Sequence, residues 1–240
     1  MAPLSGASGG RPGDTRKLIL LAAAHQFAHR AYHEVGLDDI LAEAGLTKGA
    51  MYSHFHSKYA LAMALIEEQI GVIRATFKER LARGLSGMET LIDFCFNIAT
   101  QDVADDATRA ALDLVITVGR VEGARAALLG DWVRAFANVL REAVADGDVV
   151  EWCEPADLGR LIASMYVGLR QVSDLDDAGR FLGDLEKSWA LVLAGILQPD
   201  RADYFKQFIS RRARLAISSL PAKTADPGAT SGPSAEGDGC

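Results

Sequence analysis

Apolar residues recur at helical spacing along nearly the whole chain, and the alternation typical of strands is nearly absent. Apolar side chains three or four positions apart line one face of a helix, whereas a half-buried strand needs every second position to be apolar. No Asn-Gly or Asp-Gly turn joins two β-branched runs. The pattern therefore predicts an all-α fold.

Turn and capping residues divide this pattern into ten helices. Breaks fall at Asp146-Gly147-Asp148, Glu154-Pro155 and Gln198-Pro199, where the residue types favour turns. The predicted helices cover residues 14–30, 37–44, 47–54, 58–83, 87–103, 106–120, 123–146, 155–172, 178–197 and 201–218. The inner face of the first helix is predicted from Leu18, Leu21, Ala22 and Phe27, and that of the long fourth helix from Leu61, Leu65 and Ile73.

The two ends of the chain differ from the helical part in composition. Residues 1–13 are rich in Gly, Ser, Ala and Pro and predict a flexible arm. Residues 221–240 contain almost no large apolar side chain, so burial cannot offset the entropy of ordering them, and they predict a disordered tail. The intervening residues are predicted to fold.

Composition limits the broad class. Of the 240 residues, 49% are hydrophobic, which is enough for a sizeable core. No apolar run approaches the ~20 residues of a membrane span, and no secretory signal is visible at the N-terminus. Cys95, Cys153 and Cys240 are too few and too widely spaced for a disulfide framework, which favours a reducing compartment. The expected location is the cytoplasm.

The stretch from residue 37 to residue 58, LDDILAEAGLTKGAMYSHFHSK, has the pattern of two short helices joined by a tight turn. Gly45 suits the left-handed conformation that such a turn needs, and Thr47 is a good N-cap for the second helix. The apolar positions shared by the two helices are Ile40, Ala44, Leu46, Met51 and Phe55. This spacing predicts a helix-turn-helix with its second helix exposed for DNA recognition.

The outward residues of that second helix carry the chemistry of a DNA contact. Lys48 can reach a guanine edge, hydroxyl and imidazole groups suit phosphate oxygens, and Gly49 keeps the backbone close to the groove. The predicted DNA-binding residues are Thr47, Lys48, Gly49, Ala50, Tyr52, His54 and Lys58. The ordinary alternative is a helical hairpin inside a bundle, because isolated helix-turn-helix spacings give many false positives.

The net charge of −7 first argues against a DNA-binding protein, but its distribution does not. The charge is +1 over residues 1–60 and −8 over the remainder. A weakly charged N-terminal part still permits specific DNA binding when its few cations lie on one face. Its low charge argues against a histone-like, non-specific DNA-binding protein.

From about residue 15 to residue 61 the chain resembles the DNA-binding domain of TetR-family repressors. The resemblance is carried by AAHQF at 23–27, Tyr32, LDDI at 37–40, AGLTKGAMY at 44–52 and HFHSK at 54–58. It implies a three-helix DNA-binding domain at residues 14–60 and a larger helical ligand-binding and dimerisation domain at residues 61–220.

Later segments resemble the γ-butyrolactone receptor subgroup of these repressors, which are actinobacterial sensors of γ-butyrolactone, butenolide or furan signals. The segments are Trp132-Val133-Arg134, YVGLRQV at 166–172 and Ser188-Trp189. The resemblance implies a repressor that leaves a pseudo-palindromic operator when a small diffusible signal binds, controlling antibiotic or secondary-metabolite genes. The alternative is a TetR-family regulator of an efflux or catabolic gene that senses an unrelated hydrophobic ligand.

A pocket is predicted where apolar helices of the larger domain enclose one another. Its predicted ligand-binding residues are Trp132, Leu91, Cys95, Val115, Tyr166 and Gln171. On position alone Trp132 is better interpreted as core, whereas a tryptophan at the matching place in the subgroup lies against the ligand. The arginines available to a carboxylate-bearing signal are Arg120, Arg125, Arg134 and Arg170, and the sequence does not choose among them.

A homodimer is expected to form through the helices at 155–172 and 178–197, paired with their symmetry mates. The small and apolar residues that suit this packing are Leu161, Ala163, Val167, Gly168, Leu185, Leu193 and Ile196, and Trp189 is assigned to interface or core. Two recognition helices would then meet half-sites about 34 Å or more apart.

Other classes find less support. His25, His29 and His33 are spaced at i, i+4 and i+8, but a metal site needs further convergent ligands, so they are interpreted as surface or capping residues. No catalytic motif is present, and neither an enzyme nor a cofactor is expected. A helical adaptor that binds proteins alone would leave Lys48, Tyr52 and Lys58 without a role.

Overall fold

Ten α-helices make up almost all of the computed structural model, which describes residues 12–118 and 124–220. Their bounds are α1 Pro12–His29, α2 Leu37–Ala44, α3 Lys48–Tyr52, α4 Lys58–Leu81, α5 Gly87–Ala104, α6 Asp106–Thr117, α7 Ala124–Ala145, α8 Pro155–Val172, α9 Ala178–Ile196 and α10 Ala202–Ser218. Within the described ranges β-pairing is limited to an isolated bridge between Val149 and Leu197. The all-α prediction is confirmed.

The helix ends follow local chemistry that is legible in the sequence. Ser57 caps α4 by accepting a hydrogen bond from the Ala60 amide, and Ser86 and Glu89 form a capping box at the start of α5. Gly84, with φ of 69°, follows the end of α4. The predicted helix 47–54 is shorter in the structure, because Thr47 is the cap and α3 ends at Tyr52.

Predictions for both ends of the chain, and for the connection between α6 and α7, concern residues that the structure does not describe. These are the arm over residues 1–11, the tail 221–240, and residues 119–123 between α6 and α7. Pro12 and Gly13, assigned to the arm, are the first residues of α1.

The buried apolar residues form two clusters. One joins α1, α2, α3 and the first half of α4 to the inner face of α6. The other occupies the larger part of the chain, where helices α5, α7, α8, α9 and α10 pack together. We call α1, α2, α3 and the first half of α4 the head. Helix α6 therefore touches the head directly and also packs on α5. The predicted domain boundary near residue 60 remains a prediction, since α4 and α6 continue the apolar packing across it.

The predicted inner face of α1 is wrong at two positions. Leu18 and Leu21 are 48% and 55% exposed, whereas Ile19, Leu20 and Ala23 are buried. Residues 18–24 are apolar without interruption, so periodicity alone does not fix which side of the helix faces inward. Contacts with α6, which lies far along the sequence, decide the rotation.

None of the described helices combines the length and the apolarity needed to cross a bilayer.

Gly87→Ala is expected to destabilise the fold by about 1–3 kcal/mol, because α5 and α7 approach at this glycine. A Cβ there would lie 2.6 Å from the backbone nitrogen of Ala143 and closer still to the carbonyl oxygen of Val139. The matched control is Gly71→Ala inside α4, where nothing lies within 4 Å of an added Cβ. That change is expected to stabilise the protein by about 0.5–1 kcal/mol. Urea denaturation of both variants checks the pair, and equal effects would contradict the close approach of the helices.

Candidate DNA-binding and ligand-binding sites

The turn between α2 and α3 has the geometry of a helix-turn-helix. Gly45 adopts φ of 64° and its amide donates to the carbonyl of Ala42, which ends α2. The Thr47 hydroxyl then accepts a hydrogen bond from the Ala50 amide and starts α3. Ile40 and Met51 are both fully buried and hold the two helices together. The exposed side of α3 is thereby fixed.

Six of the seven predicted DNA-binding residues lie on or next to α3, and four of them are well exposed. Thr47, Lys48, Gly49 and Tyr52 face solvent, with the Tyr52 side chain 51% exposed. Ala50 and His54 are half-buried. The centroid of the His54 ring lies 6.5 Å from that of the buried Phe55 ring. The structure thus presents a compact polar surface centred on Lys48 and Tyr52.

Lys48 is paired with a carboxylate of the preceding helix. Its Nζ lies 2.8 Å from Oδ1 of Asp38, and both side chains are exposed. The hydrogen bond from Lys48 to Asp38 raises the pKa of Lys48, so the amine stays charged. Asp38 also places a negative charge beside the surface on which a phosphate backbone would lie.

Lys58 faces the inside of the head. Its Nζ donates hydrogen bonds of 2.8 Å to the carbonyl oxygens of Tyr32 and Val35 and lies 4.4 Å from the centroid of the Tyr32 ring. These contacts hold the connection between α1 and α2, where carbonyl groups have no helical partner. The structure gives Lys58 a structural position, apart from the exposed side chains of α3.

Arg16 is a cation of the head that the sequence reasoning did not single out. Its guanidinium lies 5.5 Å from the centroid of the Phe55 ring, just beyond α3, and pairs with Glu68 of α4 at 3.2 Å. The sequence feature that could have indicated a cation here is the adjacent basic pair Arg16-Lys17 near the start of α1.

A small enclosed cavity lies between α5, α7 and α8. It is lined by Phe94, Cys95, Ile98, Trp132, Phe136, Ala163 and Tyr166. Its volume is about 20 Å³, which is room for about one water molecule. The lining is almost entirely apolar, and burial raises the pKa of the Cys95 thiol to about 12, so the thiol remains protonated.

The structure brings three of the six predicted ligand-binding residues to this cavity: Trp132, Cys95 and Tyr166. Leu91 is fully buried in the same core but does not line the cavity. Val115 packs with the head cluster, and Gln171 is exposed on α8. The sequence reasoning did not assign Phe136 or Ala163 to the pocket wall.

The lining residue Tyr166 donates its hydroxyl to a buried ion network. Tyr166 donates to Oδ2 of Asp102 at 3.0 Å. Arg170, one turn further along α8, donates to both oxygens of Asp102 and, at 2.6 Å, to Asp113 of α6. The Asp102 and Arg170 side chains are 0% and 2% exposed. Helices α5, α6 and α8 are thereby joined.

Burial and pairing oppose each other in this network. Burial raises the pKa of Asp102, and Arg170 acts against that rise. Burial also acts to lower the pKa of Arg170, but its hydrogen bonds to Asp113 and Asp102 outweigh burial and the net pKa is raised. Burial raises the pKa of Tyr166 well above its ordinary value. The tyrosine therefore remains a neutral donor.

The other arginines considered for the pocket do not reach it or fall outside the described side chains. Arg134 is exposed, forms an ion pair with Asp131 and does not line the cavity. Nothing is described of the side chains of Arg120 and Arg125.

The outward faces of α8 and α9 carry several large apolar side chains. Leu161, Val172 and Leu191 are 51%, 84% and 79% exposed. Among the residues predicted for dimer packing, Leu161 and Gly168 face outward, Val167 is half-buried, and the others are buried inside the protomer. Trp189 is fully buried and belongs to the core.

Comparisons with known proteins assign the fold to a family. Residues 19–65 match the model for bacterial regulatory proteins of the tetR family. The solved TetR-family protein CprB from Streptomyces coelicolor, determined in complex with its operator sequence, is 30% identical, with a TM-score of 0.74 over 88% of this chain and 100% of that one. The chain belongs to the TetR family. Its relatives are transcriptional regulators and not enzymes.

Within the TetR family the chain resembles γ-butyrolactone receptors. A crystal structure of such a receptor, an ArpA-like protein, is 28% identical with a TM-score of 0.76 and covers 86% of this chain and 100% of that one. The A-factor receptor protein of Streptomyces griseus is 29% identical over 194 residues. That alignment covers 79% of this chain and 66% of the relative.

Proposed function

We propose that this TetR-family regulator is a dimeric repressor that binds a pseudo-palindromic operator through α3 and leaves it when a small diffusible signal of the γ-butyrolactone type enters the cavity beside Trp132. The observation that carries the proposal is the position of this cavity. Its walls contact α4 through aromatic side chains and are linked to α6 through a buried ion network. Both helices contribute to the apolar cluster of the head. A signal bound there can change how the heads are held. The regulated genes are proposed to be those of antibiotic or secondary-metabolite production.

The first connection from the cavity to the head is aromatic. Phe94 and Phe136 line the cavity. Both contact Phe77 of α4, with ring centroids 4.7 and 6.2 Å away. Because α4 begins directly after the recognition helix and contributes to the head core, displacement of Phe77 would tilt the helix that carries α3.

The second connection is the buried ion network. Tyr166 lines the cavity and donates to Asp102, which binds Arg170. Arg170 also holds Asp113 and the carbonyl oxygen of Arg109, both on α6. Helix α6 packs against α1 of the head. A ligand that moves the Tyr166 hydroxyl would therefore act on α6 through a short series of hydrogen bonds.

The cavity between α5, α7 and α8 is too small in this arrangement to hold a signal molecule. Drug-sized ligands occupy pockets of about 300–1,000 Å³, far above the 20 Å³ found here. Binding must therefore separate the walls of the cavity, and Trp132 is its largest half-buried lining residue. Since the walls contact α4 directly and α6 through the ion network, opening the cavity would also repack those helices. This is the two-state element that coupling between ligand and DNA needs.

The lining favours a neutral signal. The hydroxyl of the lining residue Tyr166 already donates to the carboxylate of Asp102, and the buried cation Arg170 is already paired with two aspartates. A carboxylate-bearing furan would lie close to Asp102 without a free positive partner. A γ-butyrolactone or butenolide needs one or two neutral donors and an apolar volume for its side chain. We therefore place the neutral lactones ahead of furan acids.

Dimerisation is proposed through the outward faces of α8 and α9. Their exposed apolar side chains, Leu161, Val172 and Leu191, would be buried against the same residues of a second copy in a two-fold arrangement. The two copies of α3 would then read successive half-sites of one operator.

A gel-shift assay with DNA from upstream of its own gene tests the proposal. The full chain is expected to retard this DNA, and solvent extracts of cultures of the source organism are expected to release it. Mass spectrometry of the active fraction is expected to find a neutral lactone. Failure to bind any specific duplex would overturn the repressor. Release by an unrelated hydrophobic compound alone would favour a regulator of efflux or catabolic genes.

Two variants of the surface ion pair should change operator affinity in opposite directions. Lys48→Ala removes a cation from α3 and is expected to weaken binding by about 10- to 100-fold. Asp38→Ala removes the opposing carboxylate and frees Lys48, so binding is expected to tighten a few-fold. Fluorescence anisotropy at several salt concentrations measures both. If both variants weakened binding equally, the pair would act in folding and not in recognition.

A further inference from the structure

Two histidines of the head and one aspartate of the larger part meet at the joint between α1 and α6. His25 and His29 are one turn apart on α1, and their ring centroids are 4.8 Å apart. Asp106, the first residue of α6, lies between them: its Oδ2 is 2.7 Å from Nδ1 of His25 and its Oδ1 is 3.1 Å from Nε2 of His29. The two histidines, 81 and 77 positions before Asp106 in the chain, thus converge on its carboxylate.

We propose that His25, His29 and Asp106 form a binding site for a divalent transition-metal ion, Zn²⁺ by its ligand chemistry, which fastens α1 of the head to α6. Two imidazole nitrogens and one carboxylate are a ligand set that zinc accepts, with water in the remaining position. One ligand atom from each residue lies within 4.8 Å of the other two. Small rotations of these half-exposed side chains can close that distance around an ion, since zinc–nitrogen and zinc–oxygen distances are about 2.0–2.2 Å.

The surroundings favour a cation and give it a way in. Oε1 of Glu43 lies 3.9 Å from Nε2 of His25 and can hold the ring from the other side, as carboxylates do beside metal-bound histidines. An open cavity of about 400 Å³ begins at His29. Five aspartates line it, of which Asp102 and Asp176 are paired with arginines and Asp105, Asp106 and Asp177 leave the lining with a net negative charge. The negative potential of this cavity would concentrate divalent ions beside the histidines.

An ordinary ion pair is the competing interpretation, and it makes a different prediction about metals. As an ion pair, His25 and Asp106 are half-exposed and contribute little to stability. As a metal site, the same three residues would bind one ion per chain and lose it when any one of them is replaced. The proposal does not depend on which signal the regulator senses or which operator it binds.

Titration with Zn²⁺ tests the site. The full chain, without a polyhistidine tag and with Cys240→Ser to remove a competing thiol, is freed of metal and titrated in a calorimeter. One ion per chain is expected to bind with a Kd on the order of micromolar or below, and to raise the Tm. His25→Ala and Asp106→Asn are each expected to weaken binding by at least about tenfold. His33→Ala is the matched control, because His33 is exposed near the end of α1 and outside the cluster.

Absence of binding to the parent chain would overturn the proposal. So would equal affinities of the parent, His25→Ala and Asp106→Asn chains. The two variants change exposed groups on different helices, and the Tm without metal shows that each is folded. Absorption of bound Co²⁺ in the visible region gives an independent measurement of the ligand set, and loss of that spectrum in His25→Ala is the expected result.

Discussion

Asp102→Ala is expected to lower the free energy of unfolding by about 3–5 kcal/mol, because it leaves a buried guanidinium without its main partner. Arg170 is 2% exposed and donates to both oxygens of Asp102. The variant also leaves the Tyr166 hydroxyl, fully enclosed in the core, without its acceptor. Chemical denaturation followed by circular dichroism measures the loss.

Two further variants show whether the loss of stability comes from the buried pair or would follow the removal of any charge. Asp184→Ala breaks an exposed pair with Lys187 on α9 and is expected to leave stability close to that of the parent. The double variant Asp102→Ala with Arg170→Met removes both charges and is expected to recover much of the loss. If Asp102→Ala were as stable as Asp184→Ala, the network would not join α5 to α8 as the structure has it.

Trp132→Ala is expected to raise the signal concentration needed for operator release by about 30-fold or more, with operator affinity nearly unchanged. Large aromatic side chains at the centre of a binding site contribute about 2 kcal/mol or more, which corresponds to that factor. Trp132 lines the cavity on α7 and lies far along the sequence from α3. Anisotropy of labelled operator during titration with the purified signal measures both quantities.

Trp152→Ala is the control for this experiment, since Trp152 is 75% exposed and does not line the cavity. It should respond to the signal as the parent chain does. Release from Trp132→Ala at the parent concentration would contradict the assignment of the cavity as the signal site.

Most helix positions could be predicted from the sequence because their ends are set by local chemistry. Pro155 begins α8 and Ser86 caps α5, and neither depends on a distant contact. The rotation of α1 could not be predicted in the same way. An uninterrupted apolar run does not show which side of the helix faces inward, and packing against α6 decides it. The prediction that Leu18 and Leu21 face inward is therefore wrong.

The exposed side of α3 was predictable for the same local reason, and the lining of the cavity only in part. The capping residue Thr47 and the turn residue Gly45 determine which side of α3 is exposed. Lys58 is different, because its ammonium binds carbonyls more than 20 positions earlier in the chain. Val115 was assigned to the pocket for its apolar character, but α6 turns this residue toward the head. For both Lys58 and Val115, contacts with residues distant in sequence determine where the side chain lies.

The most direct measurement of the central claim is the affinity of the signal for the free dimer and for the operator-bound dimer. Linkage requires that a signal which weakens operator binding about 100-fold bind the free dimer tighter by the same factor, or about 2.7 kcal/mol. Isothermal titration of both forms with the purified lactone is expected to show this ratio. Equal affinities for the two forms would contradict a repressor that is released by its signal.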